Sequence, residues 1–314
     1  MKKIACIFPG QGSQSVGMGK DLNDNFPGAQ AALAEIDKIA GRSLSRLSFE
    51  GPEEELKRTI NTQPTILAVS IAAWQCYREL GGPQPAFVAG HSLGELTALV
   101  AAQVLPVETA VRLVVKRAQL MEECPRGSMS AVLGVPADAL EQVCLQASSG
   151  AEVAIVANFN TPEQLVISGS PPAVERAGEL ARARGGKVIP LPVGGAFHSP
   201  LMTGAAEEFS RELVGYTFAE ARVPVVQNVD ARPATSASEI KDRLSRQMPN
   251  SVRWCATVEY MRHQGVDTFV EIGPGKALAG MVKKIDRSAR VYNIYDTGTL
   301  RSTIDALHET AAVS

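Results

Sequence analysis

The sequence predicts a mixed α/β protein in which a compact second unit is inserted into a larger one. Apolar strand-like runs alternate with helical patterns at both ends of the chain, which is typical of a sheet covered by helices. Between 126 and 192 the order changes to strand, helix, strand, strand, helix, strand, which is the split βαβ or ferredoxin-like unit. The first pattern then resumes. We therefore assign 1–125 and 193–314 to a large subdomain and 126–192 to a small one.

The N-terminal elements follow from apolar runs and from the residues that start and stop helices. The run KIACIF predicts a first strand, and the turn GQGSQ follows it. A helix is predicted from about Thr62 to about Leu80, where two glycines end it. The run AFVAG predicts a strand before GHSLGE, and a helix is predicted from Pro106 to about Glu123.

The remaining elements are predicted from the same signals. The small unit is formed by SMSAVLG, PADALEQVCLQA, EVAIVANF, QLVISG, PAVERAGELARAR and KVIPLP in that order. After it, helices are predicted near 200–213, 238–247 and 254–264, and strands at VPVVQN and DTFVEI. A last helix begins within GPGKALAGM, and the tail from about Val291 shows no pattern that we interpret.

Composition and charge disfavour several function classes. The net charge of −2 and the lack of a dense basic stretch disfavour a nucleic-acid partner. No apolar run reaches about eighteen residues and no signal peptide is recognisable, so we expect no membrane partner and a cytoplasmic location. The five cysteines are scattered and never spaced C-x-x-C, which disfavours a disulfide framework and a zinc site. We expect a monomer with no metal and no cofactor.

The stretch GHSLGE lies where a predicted strand gives way to a helix. A G-x-S-x-G sequence at such a junction holds the serine in a strained backbone conformation and exposes its hydroxyl oxygen. Ser92 is therefore the predicted nucleophile. The N–H of Leu93, at the start of the next helix, is a predicted donor to an oxyanion, and Gln11 in the turn after the first strand is a second.

A serine nucleophile needs a base, and histidine has a pKa of about 6.5 that suits this role. The chain has four histidines. His91 lies inside the elbow and is expected to point away from Ser92, while His263 and His308 are expected at the surface. His198 lies where the chain returns from the small unit, so it can face Ser92 across the seam. A buried histidine satisfied by backbone groups alone is the alternative.

The predicted nucleophile and base have no aspartate at the position that a hydrolase triad would need. We therefore expect a Ser–His pair whose imidazole is oriented by something other than a carboxylate, such as a backbone carbonyl.

The helix 106–123 has an arginine beside its apolar stripe. At about 100° per residue, Arg117 lies about 75° from the centre of that stripe, at the edge of the buried face. One interpretation is a snorkelling side chain or a structural ion pair. The other is a guanidinium fork that binds a substrate carboxylate and so selects acids over neutral acyl groups.

Six motifs together resemble one family. GQGSQ, GHSLGE, RAQLM, NTPEQLVISG, FHSPLM and EIGPGKAL occur in the order found in the malonyl-CoA:acyl carrier protein transacylases, between Phe8 and about Lys284. The resemblance implies an α/β-hydrolase-like large subdomain with a ferredoxin-like insertion. It also implies transfer of a malonyl group from malonyl-CoA to the phosphopantetheine thiol of an acyl carrier protein, which supplies fatty acid synthesis.

The resemblance assigns roles to the predicted site residues. It implies Ser92 as the residue that becomes malonylated and His198 as general base and acid. Gln11 and Leu93 become oxyanion donors through their backbone N–H groups, and Arg117 becomes the clamp on the malonyl carboxylate.

Two further residues acquire roles through the resemblance, and two depart from the family pattern. Gln247 matches a position whose main-chain carbonyl orients the histidine. Phe197 matches the malonyl-selective form of its motif, since relatives that take methylmalonyl units tend to carry a small residue there. The family often has Gln at the position of Glu122, and we expect the Glu122 carboxylate to offset part of the Arg117 charge. Arg253 occupies a position that varies within the family.

Three alternatives remain open at this point. A malonyltransferase of a polyketide synthase or of a malonate decarboxylase system would use the same chemistry with a different acceptor. A thioesterase would share the elbow but would not need Arg117, and a non-catalytic binding module would form no acyl adduct. The basic residues Lys283, Lys284, Arg287 and Arg290 are either a docking face for an acidic carrier protein or an ordinary solvated surface.

Overall fold

The computed structural model describes residues 3–312, and the strands in this range form two sheets. Each sheet belongs to one of the two predicted units. In chain order the strands are β1 (Lys3–Phe8), β2 (Phe87–Gly90), β3 (Ser128–Leu133), β4 (Ala154–Thr161), β5 (Gln164–Gly169), β6 (Lys187–Pro190), β7 (Val225–Val226), β8 (Pro233–Ala234), β9 (Val266–Ile272) and β10 (Arg290–Ile294).

Helices cover both sheets. Helices α1 to α7, before the small unit, are Lys20–Asn25, Pro27–Ala40, Leu44–Glu50, Glu53–Lys57, Thr59–Glu79, Gly94–Ala101 and Val107–Glu122. Helices α8 to α14 are Ala137–Ala147, Pro171–Ala183, Thr203–Val214, Ala237–Ser245, Trp254–His263, Ala277–Ile285 and Thr297–Ala312, with a short 3₁₀ turn at Pro200–Met202. None of the helices in the described residues has both the length and the apolar character that a bilayer crossing requires.

The six-stranded sheet has the order β10-β9-β1-β2-β7-β8. Its first five strands pair in parallel, and β8 pairs with β7 in the antiparallel sense. Parallel strands end at one common edge of a sheet, which is where α/β proteins place their sites. The GQGSQ turn after β1 and the GHSLGE turn after β2 therefore lie side by side.

The four-stranded sheet has the order β4-β5-β3-β6, and every neighbouring pair is antiparallel. This is the topology that the split βαβ order predicts. Helices α8 and α9 cover the sheet, and they enclose a hydrophobic cluster of their own that includes Val132, Leu140 and Ile167. All four strands lie between 126 and 192.

Helix α5 begins at Thr59, earlier than the predicted start near Thr62, and it continues through Pro64. A proline inside a helix has no N–H to donate to the carbonyl four residues before it, here that of Ile60. In this fold the Arg42 Nη2 donates to that carbonyl at 2.6 Å instead. Because a distant side chain takes over the lost hydrogen bond, the helix tolerates a proline that the sequence placed in its first turn.

The C-terminal tail from about Val291 is the segment for which no sequence pattern predicted a structure. Its strand β10 pairs with β9 at the edge of the large sheet, and α14 packs against β10. Most of β10 is only partly buried, so its apolar pattern is weak. The predicted strand VPVVQN is reduced to the two residues of β7.

Candidate active site

The GHSLGE turn forms a sharp elbow between β2 and α6. Ser92 has a φ of 52°, in the left-handed region that non-glycine residues rarely occupy. A Cβ on Gly90 would lie 2.0 Å from the Gly94 carbonyl carbon, and one on Gly94 would lie 2.3 Å from the Phe8 carbonyl oxygen. Close packing therefore requires both glycines, Gly90 against Gly94 within the elbow and Gly94 against the end of β1. This packing helps to hold Ser92 in its strained conformation.

Ser92 and His198 are in hydrogen-bond contact although 106 positions separate them. The Ser92 Oγ lies 2.8 Å from His198 Nε2. The other ring nitrogen, Nδ1, lies 3.2 Å from the Gln247 carbonyl and 3.1 Å from the Asn250 carbonyl. Carbonyl oxygens only accept, so Nδ1 carries the proton and Nε2 accepts from the serine hydroxyl. Within residues 3–312 no carboxylate bonds to this imidazole.

The His198 ring is buried, with 3% of the residue exposed. Burial, the positive charge of Arg117 and the neighbouring His91 lower the pKa of His198 to about 3, and the two carbonyl contacts act in the opposite direction. The imidazole is therefore neutral at neutral pH, which is the protonation state that a general base needs.

Arg117 points into the protein and is 1% exposed. Its Nη1 donates to Gln63 Oε1 at 2.6 Å, and its Nη2 donates to Gln247 Oε1 at 2.9 Å and to Ser92 Oγ at 3.0 Å. Its Nε is buried without an acceptor among the described residues. The alternative of a snorkelling surface side chain is therefore wrong. Burial lowers the pKa of Arg117 to about 10, so the side chain keeps its charge at neutral pH.

Glu122 does not act on Arg117 as expected. Its carboxylate accepts hydrogen bonds from Arg58 Nε and from the Ile60 N–H, both at 3.3 Å, at the start of α5. The carboxylate whose charge raises the pKa of Arg117 is that of Glu95. The expectation failed because Glu122 follows Arg117 at a helical spacing that turns the two side chains to different neighbours.

The basic residues at the end of α13 and just after it do not form one free patch. Lys283, Lys284 and Arg287 are exposed. Arg290 Nη2 instead pairs with Asp267 Oδ2 at 2.6 Å. The group that remains available to an acidic partner is therefore smaller than the sequence indicated.

The two predicted oxyanion donors have free N–H groups. In the described part of the chain, neither the Gln11 N–H nor the Leu93 N–H has a hydrogen-bond acceptor. Gln11 lines the cavity beside Ser92, and its side-chain Nε2 donates to Thr59 Oγ1 at 3.3 Å. Leu93 follows Ser92 directly at the start of α6. A carbonyl oxygen near Ser92 would find unpaired donors at both positions.

Ser92 and His198 open into a cavity of about 270 Å³ between the two sheets. One wall comes from the turns after β1 and β2 and from α13, and the other comes from the small sheet. Phe197 lies on this cavity beside His198, and its ring packs so closely on Gly195 that a Cβ there would lie 2.3 Å from the ring. The lining is largely apolar and includes Met121, Met129, Val166, Leu191, Val193, Leu278 and Met281.

Comparison with known proteins identifies the family. The acyl transferase domain family matches residues 5–306. A malonyl CoA-acyl carrier protein transacylase of Bacillus subtilis (strain 168) is 44% identical over 313 residues, which is 98% of each chain. The chain belongs to the malonyl-CoA:acyl carrier protein transacylase family. It is therefore an acyltransferase, as the six motifs predicted.

Solved structures of transacylases have the same fold. An acyl carrier protein S-malonyltransferase from Vibrio cholerae is 41% identical, covers 96% of this chain and superposes with a TM-score of 0.93. A malonyl-transacylase solved in complex with its type II polyketide synthase acyl-carrier protein is 40% identical, covers 97% of this chain and has a TM-score of 0.94. The predicted fold class is thereby confirmed.

In this transacylase the elbow is held by Asn228, which the sequence analysis missed. Its Oδ1 accepts from the Ser92 N–H, and its Nδ2 donates to the Gly90 carbonyl, both at 2.7 Å. Asn228 lies just beyond β7, which pairs with β2. The signal that could have found it is a polar residue at the end of a buried strand, VPVVQN.

The GHSLGE elbow and the four-stranded sheet of the transacylase also meet through a polar contact. The Nε2 of His91 lies 2.9 Å from Asn160 Oδ1 on β4. Burial lowers the pKa of His91, and the Asn160 contact acts in the opposite direction. The contact joins the elbow to the small sheet at the rim of the cavity.

Proposed function

We propose that this acyltransferase takes the malonyl group from malonyl-CoA as an ester on Ser92 and transfers it to the phosphopantetheine thiol of an acyl carrier protein. The observation that carries the proposal is the 3.0 Å contact between Arg117 Nη2 and Ser92 Oγ. A malonyl group has a carboxylate one carbon away from its thioester carbonyl. One such group can therefore contact the guanidinium and the nucleophile together.

Acylation begins when Ser92 Oγ attacks the thioester carbonyl and its proton moves to His198 Nε2. The negative charge on the carbonyl oxygen accepts hydrogen bonds from the Gln11 and Leu93 N–H groups, each worth about 3 kcal/mol in the transition state. The carbon–sulfur bond then breaks. The proton on Nε2 passes to the departing CoA sulfur, which leaves neutral His198 and a malonyl ester on Ser92.

Transfer to the carrier protein repeats these steps in reverse. The phosphopantetheine thiol gives its proton to His198 Nε2 and attacks the ester carbonyl, and Ser92 departs with that proton. The side chains and N–H groups supply nucleophile, base and oxyanion donors, so we propose a reaction without a metal or cofactor. We further propose that the protein is monomeric and cytoplasmic. Gln247 would orient the base through its main-chain carbonyl, and Phe197 would exclude branched acyl groups.

The direct test is intact mass spectrometry after incubation with malonyl-CoA. The parent protein is expected to gain the mass of one malonyl group, and Ser92→Ala is expected to gain none because the nucleophilic oxygen is absent. Ser302→Ala, which changes an exposed serine on α14, is the control and should be labelled like the parent. A malonyl adduct that persists in Ser92→Ala would contradict the assignment.

A second candidate acceptor is a polyketide carrier protein. The observation that favours it is the 40% identity to the transacylase solved with a type II polyketide synthase carrier protein. The malonyl-enzyme should be isolated and mixed with purified carrier proteins of both types. Faster transfer to a fatty-acid carrier protein supports the first proposal, faster transfer to a polyketide carrier protein supports the second, and faster release of free malonate than transfer indicates a thioesterase.

A further inference from the structure

The elbow rests on a buried carboxylate that the proposed mechanism does not use. Glu95 lies in the first turn of α6 and is 1% exposed. Its Oε2 accepts from the Asn228 N–H at 2.8 Å, and its Oε1 accepts from Gln227 Nε2 at 3.2 Å. Both oxygens accept from N–H donors, which is the bonding pattern of an ionised carboxylate. These two partners belong to the loop after β7, so Glu95 joins the start of α6 to that loop.

Glu95 accepts from Asn228, and Asn228 in turn bonds to the backbone of the nucleophile's turn. Asn228 accepts from the Ser92 N–H and donates to the Gly90 carbonyl, so it bonds to both sides of the strained turn. A second amide acts on the same turn, because Gln247 Nε2 donates to the Ser92 carbonyl at 3.0 Å. In addition to the glycine packing, two side-chain amides therefore hold the backbone around Ser92, whose φ is 52°.

Glu95 also balances the charge of Arg117. Burial raises the pKa of Glu95, while the Asn228 N–H, the Gln227 and Gln247 amides and the Arg117 charge act in the opposite direction. Arg117 Nη2 donates to Gln247 Oε1, so the Gln247 amide connects the cation to this network. A buried guanidinium without a compensating anion would be costly, and among residues 3–312 the carboxylate whose charge acts on the Arg117 pKa is that of Glu95.

We propose that Glu95 is a positioning residue of this transacylase, whose carboxylate holds Asn228 against the elbow and offsets the Arg117 charge until a substrate carboxylate arrives. The inference rests on the proposed function, because the second half of the role requires an acidic acyl group. Loss of the Glu95 charge should lower the acylation rate and raise the affinity for an acidic acyl group. Loss of the charge slows attack by Ser92, because the elbow loosens. It also strengthens binding of an acidic acyl group, because Arg117 is left uncompensated.

The test uses Glu95→Gln and Glu95→Asp in single-turnover acylation by malonyl-CoA and by acetyl-CoA. Glu95→Gln is expected to slow acylation about 100-fold, the effect of a displacement of about 1 Å at a reacting group. It should also tighten malonyl-CoA binding about threefold, with no change for acetyl-CoA. Glu95→Asp keeps the charge on a shorter side chain, so the rate should fall about tenfold and the binding constants should stay unchanged.

The control is Asp286→Asn, in the loop after α13. It removes a carboxylate that, like Glu95, accepts from a backbone N–H, here that of Ser288, and that also accepts from the Arg262 guanidinium. Its rate and binding constants should stay within about twofold of the parent values. Weaker binding of both acyl-CoAs by Glu95→Gln would indicate general loosening of the fold and would overturn the proposal. Acylation within about twofold of the parent rate would overturn it as well.

A failure of the proposed function can be distinguished from a failure of the Glu95 role. If the parent protein forms no adduct with malonyl-CoA, the substrate assignment fails, and the role of Glu95 is measured with a fluorophosphonate probe that reacts with activated serines. Labelling of Ser92 about 100-fold slower in Glu95→Gln than in the parent would support the positioning role. Equal labelling would overturn it.

Discussion

At the scale of single residues, the site combines a neutral base with a buried cation. His198 and Arg117 both bond to Ser92 Oγ, at 2.8 Å and 3.0 Å. The cation lowers the pKa of the base, so a substrate carboxylate that pairs with Arg117 removes part of this effect. An acidic acyl group therefore makes His198 more basic, which a neutral acyl group cannot do.

Replacement of Arg117 should reduce the preference for acidic acyl groups. In Arg117→Ala the malonyl-CoA acylation rate should fall by a factor of about 100, from the loss of one or two charge-assisted hydrogen bonds, while acetyl-CoA should be affected much less. The measurement is kcat/KM for both thioesters. An unchanged malonyl to acetyl ratio would remove Arg117 from the acyl site.

The protonation of His198 can be measured directly. Its pKa of about 3 lies below the ordinary 6.5, so the folded state binds fewer protons than the unfolded state between these values. This histidine should therefore lower stability as the pH falls from 6.5 towards 3. In histidine-labelled protein, the resonance that disappears in His198→Asn should not titrate above about pH 5. A midpoint near 6.5 would contradict the buried, neutral imidazole.

At the scale of elements, the first turns of α5 support the site from a distance. Thr59 accepts from the Gln11 side chain and Gln63 accepts from Arg117. This helix end in turn depends on Arg42, which donates to the Ile60 carbonyl and to Asn61 Oδ1, both at 2.6 Å. The proline in α5 makes this support necessary, because it cannot supply the missing hydrogen bond.

Removal of Arg42 should therefore destabilise the protein. Arg42→Ala leaves the Ile60 carbonyl and the Asn61 side chain without these donors, which should lower the free energy of unfolding by about 1–3 kcal/mol. Urea unfolding measures the change. Arg46→Ala, which removes an exposed arginine paired with Glu50 of the same helix, is the control and should change stability by less than about 0.5 kcal/mol. Equal effects of the two variants would rule out the proposed support.

At the scale of the whole molecule, a buried carboxylate joins the large sheet to one wall of the cavity. Glu271 on β9 accepts from the Leu278 and Ala279 N–H groups at the start of α13 and from Asn293 on β10. Burial raises its pKa from 4.5 to about 7, although these hydrogen bonds act in the opposite direction. The folded state therefore binds more protons than the unfolded state between these values, and stability decreases as the pH rises through this range.

Glu271→Gln should remove this dependence. From pH 5 to pH 8 the variant should gain about 2–3 kcal/mol of unfolding free energy relative to the parent, because only the parent ionises a buried carboxyl group. Any cost of packing the amide is the same at both pH values and cancels in the comparison. Denaturant unfolding at the two pH values gives the difference. A constant difference would mean that Glu271 ionises normally in the folded protein.

The sequence alone determined those features that neighbouring residues encode. The elbow is local, because Gly90 and Gly94 impose the turn, and the split βαβ order follows from successive apolar runs. Arg117 was predicted from helical spacing, and His198 from the small number of histidines. The physical reason is that backbone conformation and periodicity depend on residues close together in the chain.

The tertiary structure decided which distant groups meet. Asn228 bonds to the elbow from 136 positions away because β7 pairs with β2. The sequences of these two strands do not by themselves specify that they are neighbours in the sheet. The pairing of Glu95 with that loop, and the continuation of α5 through Pro64 on a hydrogen bond from Arg42, arise in the same way. Such contacts depend on packing between elements far apart in the chain, and no local pattern specifies them.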